Sequence, residues 1–357
     1  MREKKIFDYV RNVDSILIMN GGENQIDKTF FYLTGAKSGI FEGSILHVKP
    51  EKVTIITSAL EEEAAKETGF DVMVYNGSSE KNEILKNAFN GDVNVGLNYS
   101  ALTLDLYKQL MRIIPDKEFI DVSQSIDEAR KIKDESELKN LREAAKIASD
   151  SFQDFIKTLK EGMKESELAA NVVYAMMRNG ASGESFKTIV AFGKNSAMPH
   201  YMPGNAKLKK NDFVLIDYGA LYNRYCSDMT RTVVFGRADE KQKEMYETVR
   251  AAQDESKKAL KAGINGKDID MIARKIIDEK YPGRFIHSLG HGIGLDVHDH
   301  PALSPSMDFL LKQNMVVTDE PGVYIPEVGG VRIEDDLIIK KDGHEEITSA
   351  TRELLEL

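Results

Sequence analysis

VLIDYGALYNRYCSDMTRT, residues 214–232, is the stretch on which the reading of this chain turns. Two apolar runs flank a polar centre, and each run carries one aspartate, Asp217 and Asp228. A turn centred on Tyr222 and Asn223 makes the stretch a β-hairpin, pairing Leu221 with Arg224 and, further out, Asp217 with Asp228. Directly opposed residues share a face, with Cβ atoms ~5 Å apart. Like charges so placed on a half-buried sheet repel, and each also loses its hydration. A bound cation removes both penalties. Two solvent-facing aspartates on a longer loop fit the stretch equally well, and residues downstream decide between the two readings.

The 357 residues hold roughly two domains with sizeable cores. A net charge of −10 and a pI near 5.4 argue against nucleic acid or an anionic membrane as the main partner. One cysteine, Cys226, excludes an internal disulfide framework and a cysteine-based zinc site, and it reads as a small packed residue. The first ten residues, MREKKIFDYV, lack the apolar run of a signal peptide, and no apolar run approaches the ~20 residues of a membrane span. A cytoplasmic protein is expected.

Upstream, residues 1–124 alternate short β-rich runs (15–19, 44–48, 53–57, 72–75, 93–97 and 119–122) with helical patterns at 60–68 and 102–113, which predicts a small α/β domain. No GxGxxG follows a strand there, and Gly21–Gly22 is only a turn signal. From Asp134 the texture changes, and residues 125–357 read as a second domain of the α+β class. Leu138, Leu141, Ala145, Ala148, Phe152, Phe155 and Leu159 form one stripe of a long helix that stops at Gly162. A second helix runs through Leu168, Val172 and Met176 to Gly180. The plan then returns: one helix from Asp239 through Met245, Val249 and Leu260 to Gly263, and another through Ile269, Ile272 and Ile276 to Gly283. A shift of 101 places Leu159 on Leu260, Gly162 on Gly263 and Leu168 on Ile269. Each helical pair precedes β-rich sequence, so two similar halves facing one another are expected, with a cleft between them as the natural site.

Five of the seven histidines fall between positions 200 and 300. IHSLGHGIGLDVHDH holds His287, His291, His298 and His300, with glycines bracketing His291 where a ligand could approach closely. TDEPGVYIPEVGGVRIEDDL then offers two β-like arms about a Pro/Gly turn, and a hairpin centred near Glu327 opposes Glu320 and Glu334. Taken singly, a histidine near glycines is a satisfied core or turn residue, and Glu-Asp-Asp at 334–336 is a solvated strand end. Taken together, two carboxylate pairs and one imidazole make a hard, oxygen-rich ligand set suited to Mn²⁺, Co²⁺ or Zn²⁺. The set is enough for two ions ~3.5–4 Å apart, which bind a bridging water, lower its pKa and polarise a carbonyl.

The order Asp217, Asp228, His291, Glu320, Glu334, within IDYG, SDMTRT, SLGHGIGLDVH, DEPGVYIP and GVRIED, resembles the pita-bread metallopeptidases. That family includes methionine aminopeptidase, Xaa-Pro aminopeptidase and prolidase. The N-terminal α/β domain resembles the creatinase-type domain that precedes the catalytic domain in the proline-specific members. The resemblance implies a pseudo-twofold duplicated fold, two divalent ions (Mn or Co ahead of Zn), and hydrolysis of Xaa-Pro bonds at peptide N-termini by a metal-bridging hydroxide. It implies that Asp217 and Asp228 hold one metal, that His291 and Glu320 hold the other, and that Asp228 and Glu334 bridge. Matched position by position, His200 lines the substrate site, His298 lies near the scissile bond or the proline carboxylate, and Glu320 shuttles a proton. His287, Thr230 and Arg332 support the ligands or the substrate. Small peptides with proline second are the implied partners, and a homodimer is implied as well. Two residues depart from the pattern. Asp319 stands where many relatives carry an aliphatic residue. Prolidases that bind a dipeptide's free carboxylate often have an arginine near Ala302, which loosens any restriction to dipeptides. An aminopeptidase without proline preference is the near alternative. A pseudo-enzyme acting as a binding module, or a metal-free amidinohydrolase, sits poorly with five filled ligand positions.

Overall fold

Alternation of β-branched runs with amphipathic helices builds the N-terminal unit around one six-stranded sheet. The structure, a computed structural model, describes residues 2–357. Strands β1 (Ser15–Met19), β2 (Ile45–Lys49), β3 (Lys52–Ser58), β4 (Asp71–Tyr75), β5 (Asn94–Leu97) and β6 (Glu118–Asp121) lie in the order β4-β3-β2-β1-β5-β6. All six runs read from the sequence are strands. Helices α1 (Arg2–Phe7), α2 (Lys28–Thr34), α3 (Glu62–Lys66), α4 (Ser78–Ala88), α5 (Leu104–Ile113) and α6 (Ser123–Lys131) complete the unit. Leu85, Phe89, Leu106 and Leu110 pack on Leu17, Ile45, Ile56, Val95 and Leu97 of the sheet. The chain divides after Arg130, towards the end of α6, whereas the expected boundary at 124/125 falls near its start.

The second unit shows the duplication helix by helix. Helices α7 (Glu135–Phe155) and α8 (Glu165–Arg178) are answered by α9 (Glu240–Ala259) and α10 (Gly266–Lys280). Both long helices open with a capping box, Asp134 with Glu137 and Asp239 with Gln242. Gly162 and Gly263 both take left-handed φ, 80° and 86°, and each amide donates 2.8 Å to a carbonyl across the unit, Leu208 and Leu311. Short strands β7 (Gly183–Glu184) and β8 (Ile189–Phe192) lead to the hairpin of β9 (Asp212–Tyr218), β10 (Ala220–Tyr222), β11 (Tyr225–Cys226) and β12 (Met229–Phe235). In the other half, β13 (Gly290–Gly292) and β14 (Asp299–Leu303) precede β15 (Val316–Asp319), β16 (Gly322–Ile325), β17 (Gly329–Arg332), β18 (Asp335–Lys340) and β19 (Gly343–Glu346). β8 pairs antiparallel with β9, as β13 does with β15.

Each half has its own core, and strand alternation decides what faces the other half. Val214, Ile216 and Tyr218 pack with Phe152, Phe155, Leu168 and Val172 of the first helical pair, while Phe213 joins the second core. Asp217 is therefore on the face turned from the first helices. In the second half Val317, Val331, Ile333, Leu337 and Ile339 pack with Met245, Val249, Ile269 and Ile277. Glu320, Arg332 and Glu334 fall on the opposite face. Among the described residues no helix is long and apolar enough to cross a membrane.

Candidate metal centre

The opening hairpin is out of the expected register by one residue per strand. Its turn centres on Asn223 and Arg224, both with positive φ (46° and 74°), so Tyr222 pairs Tyr225 and Leu221 pairs Cys226. Two consecutive positive-φ residues match the right-handed twist of the flanking strands, which a Tyr222–Asn223 turn cannot do without placing the ring residue in that region. The same register continues through β9 and β12, setting Asp217 opposite Thr230. Asp217 and Asp228 are consequently diagonal neighbours rather than direct partners, and they still share a face. Gly219 stands across from Asp228's segment, where a Cβ would lie 1.8 Å from the Ser227 carbonyl oxygen. The second hairpin keeps its expected centre: Gly322 pairs Arg332 and Asp319 pairs Asp335, so Glu320 and Glu334 lie across from one another between two ladders. Cys226 is buried, as expected of a packed residue.

A cavity of about 320 Å³ in this unit is lined by Asp217, Asp228, His291, Glu320 and Glu334, with His200, His287, His298 and Arg332. Every cavity-facing residue selected from sequence is there. Thr230 stands behind them, fully buried, donating 2.6 Å to Glu334 Oε2 and accepting 3.0 Å from Arg332 Nε. His291 Nε2 lies 3.6 Å from Asp228 Oδ2 and 3.4 Å from Glu320 Oε1. Its Nδ1 is 3.0 Å from the Gly292 carbonyl, which can only accept, so the proton of the neutral ring belongs on Nδ1 and the Nε2 lone pair faces the carboxylates. Burial, together with His298 nearby, holds this imidazole down to about 4.

The acids show the opposite shift. Burial first, then Glu334, Asp217, Asp336 and Glu320, pushes Asp228 well above the usual carboxylate range. Burial and then the charges of Glu320 and Asp217 do the same to Glu334. Glu320 is pushed up to about 8 by burial, against the pull of Arg332. One ligand atom each from Asp228, His291 and Glu334 lies within 4.8 Å of the others. Oδ1 of Asp217 and Oδ1 of Asp228 are buried with no hydrogen-bond partner. Converging carboxylates, orphaned oxygens and an imidazole lone pair fit divalent cations, which supply the missing positive charge.

Sequence reasoning missed several residues. Tyr324 Oη lies 2.8 Å from His287 Nε2 and accepts from Arg332 at 2.8 Å, while Arg332 also donates to Asp217. Asp336 Oδ2 accepts from the Asp228 amide at 2.9 Å. Phe186, Ile189, Pro199 and Val297 are apolar walls of the cavity. Only Tyr324 carried a signal, its place two residues beyond Gly322 on an arm already read as a strand. The run 334–336 is not a solvated strand end. All three acids are buried, and Asp335 is ion-paired with Arg231 and Lys257 at 2.6 and 2.7 Å. Those cations hold Asp335 below the usual range against its burial. Asp319, the residue before Glu320, is turned towards α9, where it accepts from Ser256 Oγ at 2.7 Å, and burial pushes it up to about 7.

Residues 139–341 match metallopeptidase family M24, and residues 10–132 match the Creatinase/Prolidase N-terminal domain. The chain belongs to the M24 metallopeptidases: it is a metal-dependent peptidase with a creatinase-type N-terminal domain. It is 40% identical to the Xaa-Pro dipeptidase of Pyrococcus furiosus over 342 residues, 93% of this chain and 96% of that protein. The prolidase of Pyrococcus horikoshii OT3 superposes with a TM-score of 0.91 at 39% identity, covering 99% of each chain. The X-Pro aminopeptidase of Thermotoga maritima MSB8 gives the same TM-score at 34% identity, over 97% of this chain and 98% of that one.

Proposed function

We propose that this chain hydrolyses the bond between the first residue of a peptide and a proline in second place, as an Xaa-Pro exopeptidase. The observation that carries the reading is the convergence of Asp217, Asp228, His291, Glu320 and Glu334 in one cavity that also has apolar walls. We assign two divalent ions, Mn or Co ahead of Zn, to these five side chains. Asp217 and Asp228 would hold one, His291 and Glu320 the other, and Asp228 and Glu334 both. When bound, such ions supply Lewis acidity that activates water and polarises the scissile carbonyl.

The protein's own residues do the rest. Glu320, which lines the cavity with one oxygen 3.4 Å from His291 Nε2, can take a proton from the attacking water and return it to the leaving nitrogen. That nitrogen matters because an imide before proline has no N–H and a fixed φ, so a site that grips the carbonyl side has the advantage over one that reads the N–H. His200 and His298 are exposed at the cavity wall, where they can donate hydrogen bonds to substrate oxygens. Phe186, Ile189, Pro199 and Val297 supply the apolar surface a proline ring and its neighbour require. The names of the relatives point to the same substrates.

The test is to strip the protein with chelator, restore Mn²⁺ or Co²⁺, and assay Met-Pro, Met-Pro-Gly and Met-Ala. Metal-restored cleavage of the proline peptides with little cleavage of Met-Ala is expected. Absence of metal-restored cleavage of any of them overturns the proposal. Glu334→Ala removes a carboxylate that would serve both ions, so it should bind them more weakly and lose most turnover.

A further inference from the structure

His200 reaches the cavity wall from an arch of chain, residues 192–206, whose tip gains little from apolar packing. Met198, His200 and Met202 are exposed there, while Pro199 and His200 line the cavity. Among the described residues no hydrogen bond or ion pair holds the His200 ring itself. The ring therefore stands where the backbone of the arch puts it.

That backbone is gathered onto one buried carboxylate. Glu165, the first residue of α8, has no exposed surface. Its Oε1 accepts from the Phe192 amide at 3.0 Å and from Asn195 Nδ2 at 2.9 Å, on the rising limb of the arch. Its Oε2 accepts from the Tyr201 hydroxyl at 2.9 Å and from the Gly204 amide at 3.1 Å, on the returning limb. Asn195 Nδ2 also donates to Tyr201 Oη at 2.9 Å, which ties limb to limb. A carboxylate withdrawn from water is unfavourable unless donors meet it, and here four donors and the N-terminal turn of α8 do so. Ser196 pins the other flank, its Oγ accepting from the Gly330 amide at 2.8 Å. Apolar side chains of similar volume often stabilise a core at least as well as a buried charge. A charge whose four donors all belong to one arch also dictates the course of that arch.

We infer that Glu165 is a positioning residue for the reaction. By drawing both limbs of the arch onto one carboxylate, it sets the place of His200, the neighbour of Tyr201, at the cavity wall. Glu165 does not line the cavity, and its four donors are separate from Asp217, Asp228, His291, Glu320 and Glu334, so its effect passes through His200. The inference rests on the Xaa-Pro reading above for what His200 does and adds what holds it in place.

The experiment compares the Mn²⁺-loaded parent with Glu165→Gln on Met-Pro or Met-Pro-Gly, whichever the parent cleaves faster. The glutamine NH2 must face either the Phe192 or the Gly204 amide, neither of which can accept, so one limb is released. The value of kcat should fall about 10–100-fold, the effect of a displaced catalytic group, with KM moving far less. Affinity for Mn²⁺, followed by calorimetry, should stay within about twofold of the parent's, and in a His200→Ala background Glu165→Gln should lose less than about a further twofold. Tyr201→Phe, which removes one donor, should lower kcat by less, and it replaces Glu165→Gln if that variant fails to fold. An unchanged kcat, a loss that multiplies fully with that of His200→Ala, or a matching loss of Mn²⁺ affinity overturns the inference and leaves the Xaa-Pro reading standing. If the parent cleaves no proline peptide the Xaa-Pro reading falls, and NMR of the Zn²⁺-loaded protein decides the positioning alone. The His200 ring signals, assigned by their loss in His200→Ala, should shift or broaden in Glu165→Gln while those of His291 keep their place. Unmoved His200 signals overturn the inference.

Discussion

Replacing Thr230 by valine removes one hydroxyl from the centre of the site without altering its shape. That hydroxyl donates 2.6 Å to Glu334 Oε2 and accepts 3.0 Å from Arg332 Nε, and the residue has no exposed surface. Valine fills the space but leaves a carboxylate oxygen and a guanidinium N–H facing a methyl group. Hydrogen bonds to charged groups contribute about 1.5–3 kcal/mol each, and a buried group left unsatisfied loses that and its hydration. Arg332 keeps its bonds to Tyr324 and Asp217, so the loss should be about 2–4 kcal/mol rather than the full sum. For a unit of this size that is a fall in Tm of roughly 5–10 °C. Because Thr230 orients Glu334, affinity for Mn²⁺ or Co²⁺ should also fall by about 10–100-fold. Thr230→Ser keeps the hydroxyl and should recover most of both losses, which separates the hydrogen bonds from the methyl packing. The assay is a thermal melt of each variant plus calorimetric metal titration. A valine variant melting within about 1 °C of the parent with unchanged metal affinity would refute the reasoning, since it would mean the buried pair is satisfied without Thr230.

Two other predictions concern stability. The Arg142 guanidinium, bonded to Glu345 at 2.6 and 2.9 Å, together with Lys340 holds the Glu345 carboxyl down to about 2 from an ordinary 4.5. A lowered folded value means stability that is present above the unfolded value and is lost as pH falls through the folded one. Melting temperatures should therefore decline from about pH 4.5 towards about pH 2, and Arg142→Met should melt lower at pH 7 with a shallower acid limb. Curves that run parallel at all pH values count against the pair. Gly219→Ala should destabilise the protein and impair metal binding, because its Cβ would meet the Ser227 carbonyl at 1.8 Å and Ser185 Oγ at 2.3 Å beside Asp228. Gly343→Ala, whose Cβ meets nothing within 4 Å, is the control and should melt like the parent.

Different physical signals made different parts of this molecule legible in its sequence. The helices announced themselves through periodicity and stop signals, and the paired glycines at 162 and 263 take the same left-handed conformation in both halves. The second hairpin's register was readable because its Pro/Gly-rich centre leaves few alternatives. The first was not, because Asn223–Arg224 lacks the glycine that normally marks a turn with two positive φ values, and a shift of one position separates the two readings. Polar ligands stood out because carboxylates on half-buried strands demand an explanation. The walls did not: Phe186, Ile189, Pro199 and Val297 obey the same apolar pattern as a core residue, and only the fold reveals that they border a cavity. Tyr324 was hidden for a related reason, since a tyrosine on a buried strand is ordinary until its hydroxyl is seen between His287 and Arg332.

The duplicated plan explains why the ligands converge at all. Each half buries one face of its β-hairpin against its own helix pair, and in each the alternate residues must then face the opposite half. A half-built site would be untenable, because Asp217 and Asp228 alone, or Glu320 and Glu334 alone, are like charges withdrawn from water. Their arrangement is stabilised from the other half. Thr230 of the first hairpin donates to Glu334, Arg332 of the second donates to Asp217, and the Asp228 amide donates to Asp336. Arg231 adds a further link, bonding the Glu334 carbonyl and the Asp335 carboxylate. The hydrogen bonds that join the halves are thus the same ones that aim the carboxylates, so a substitution that loosens this contact should weaken ion binding before it unfolds either core.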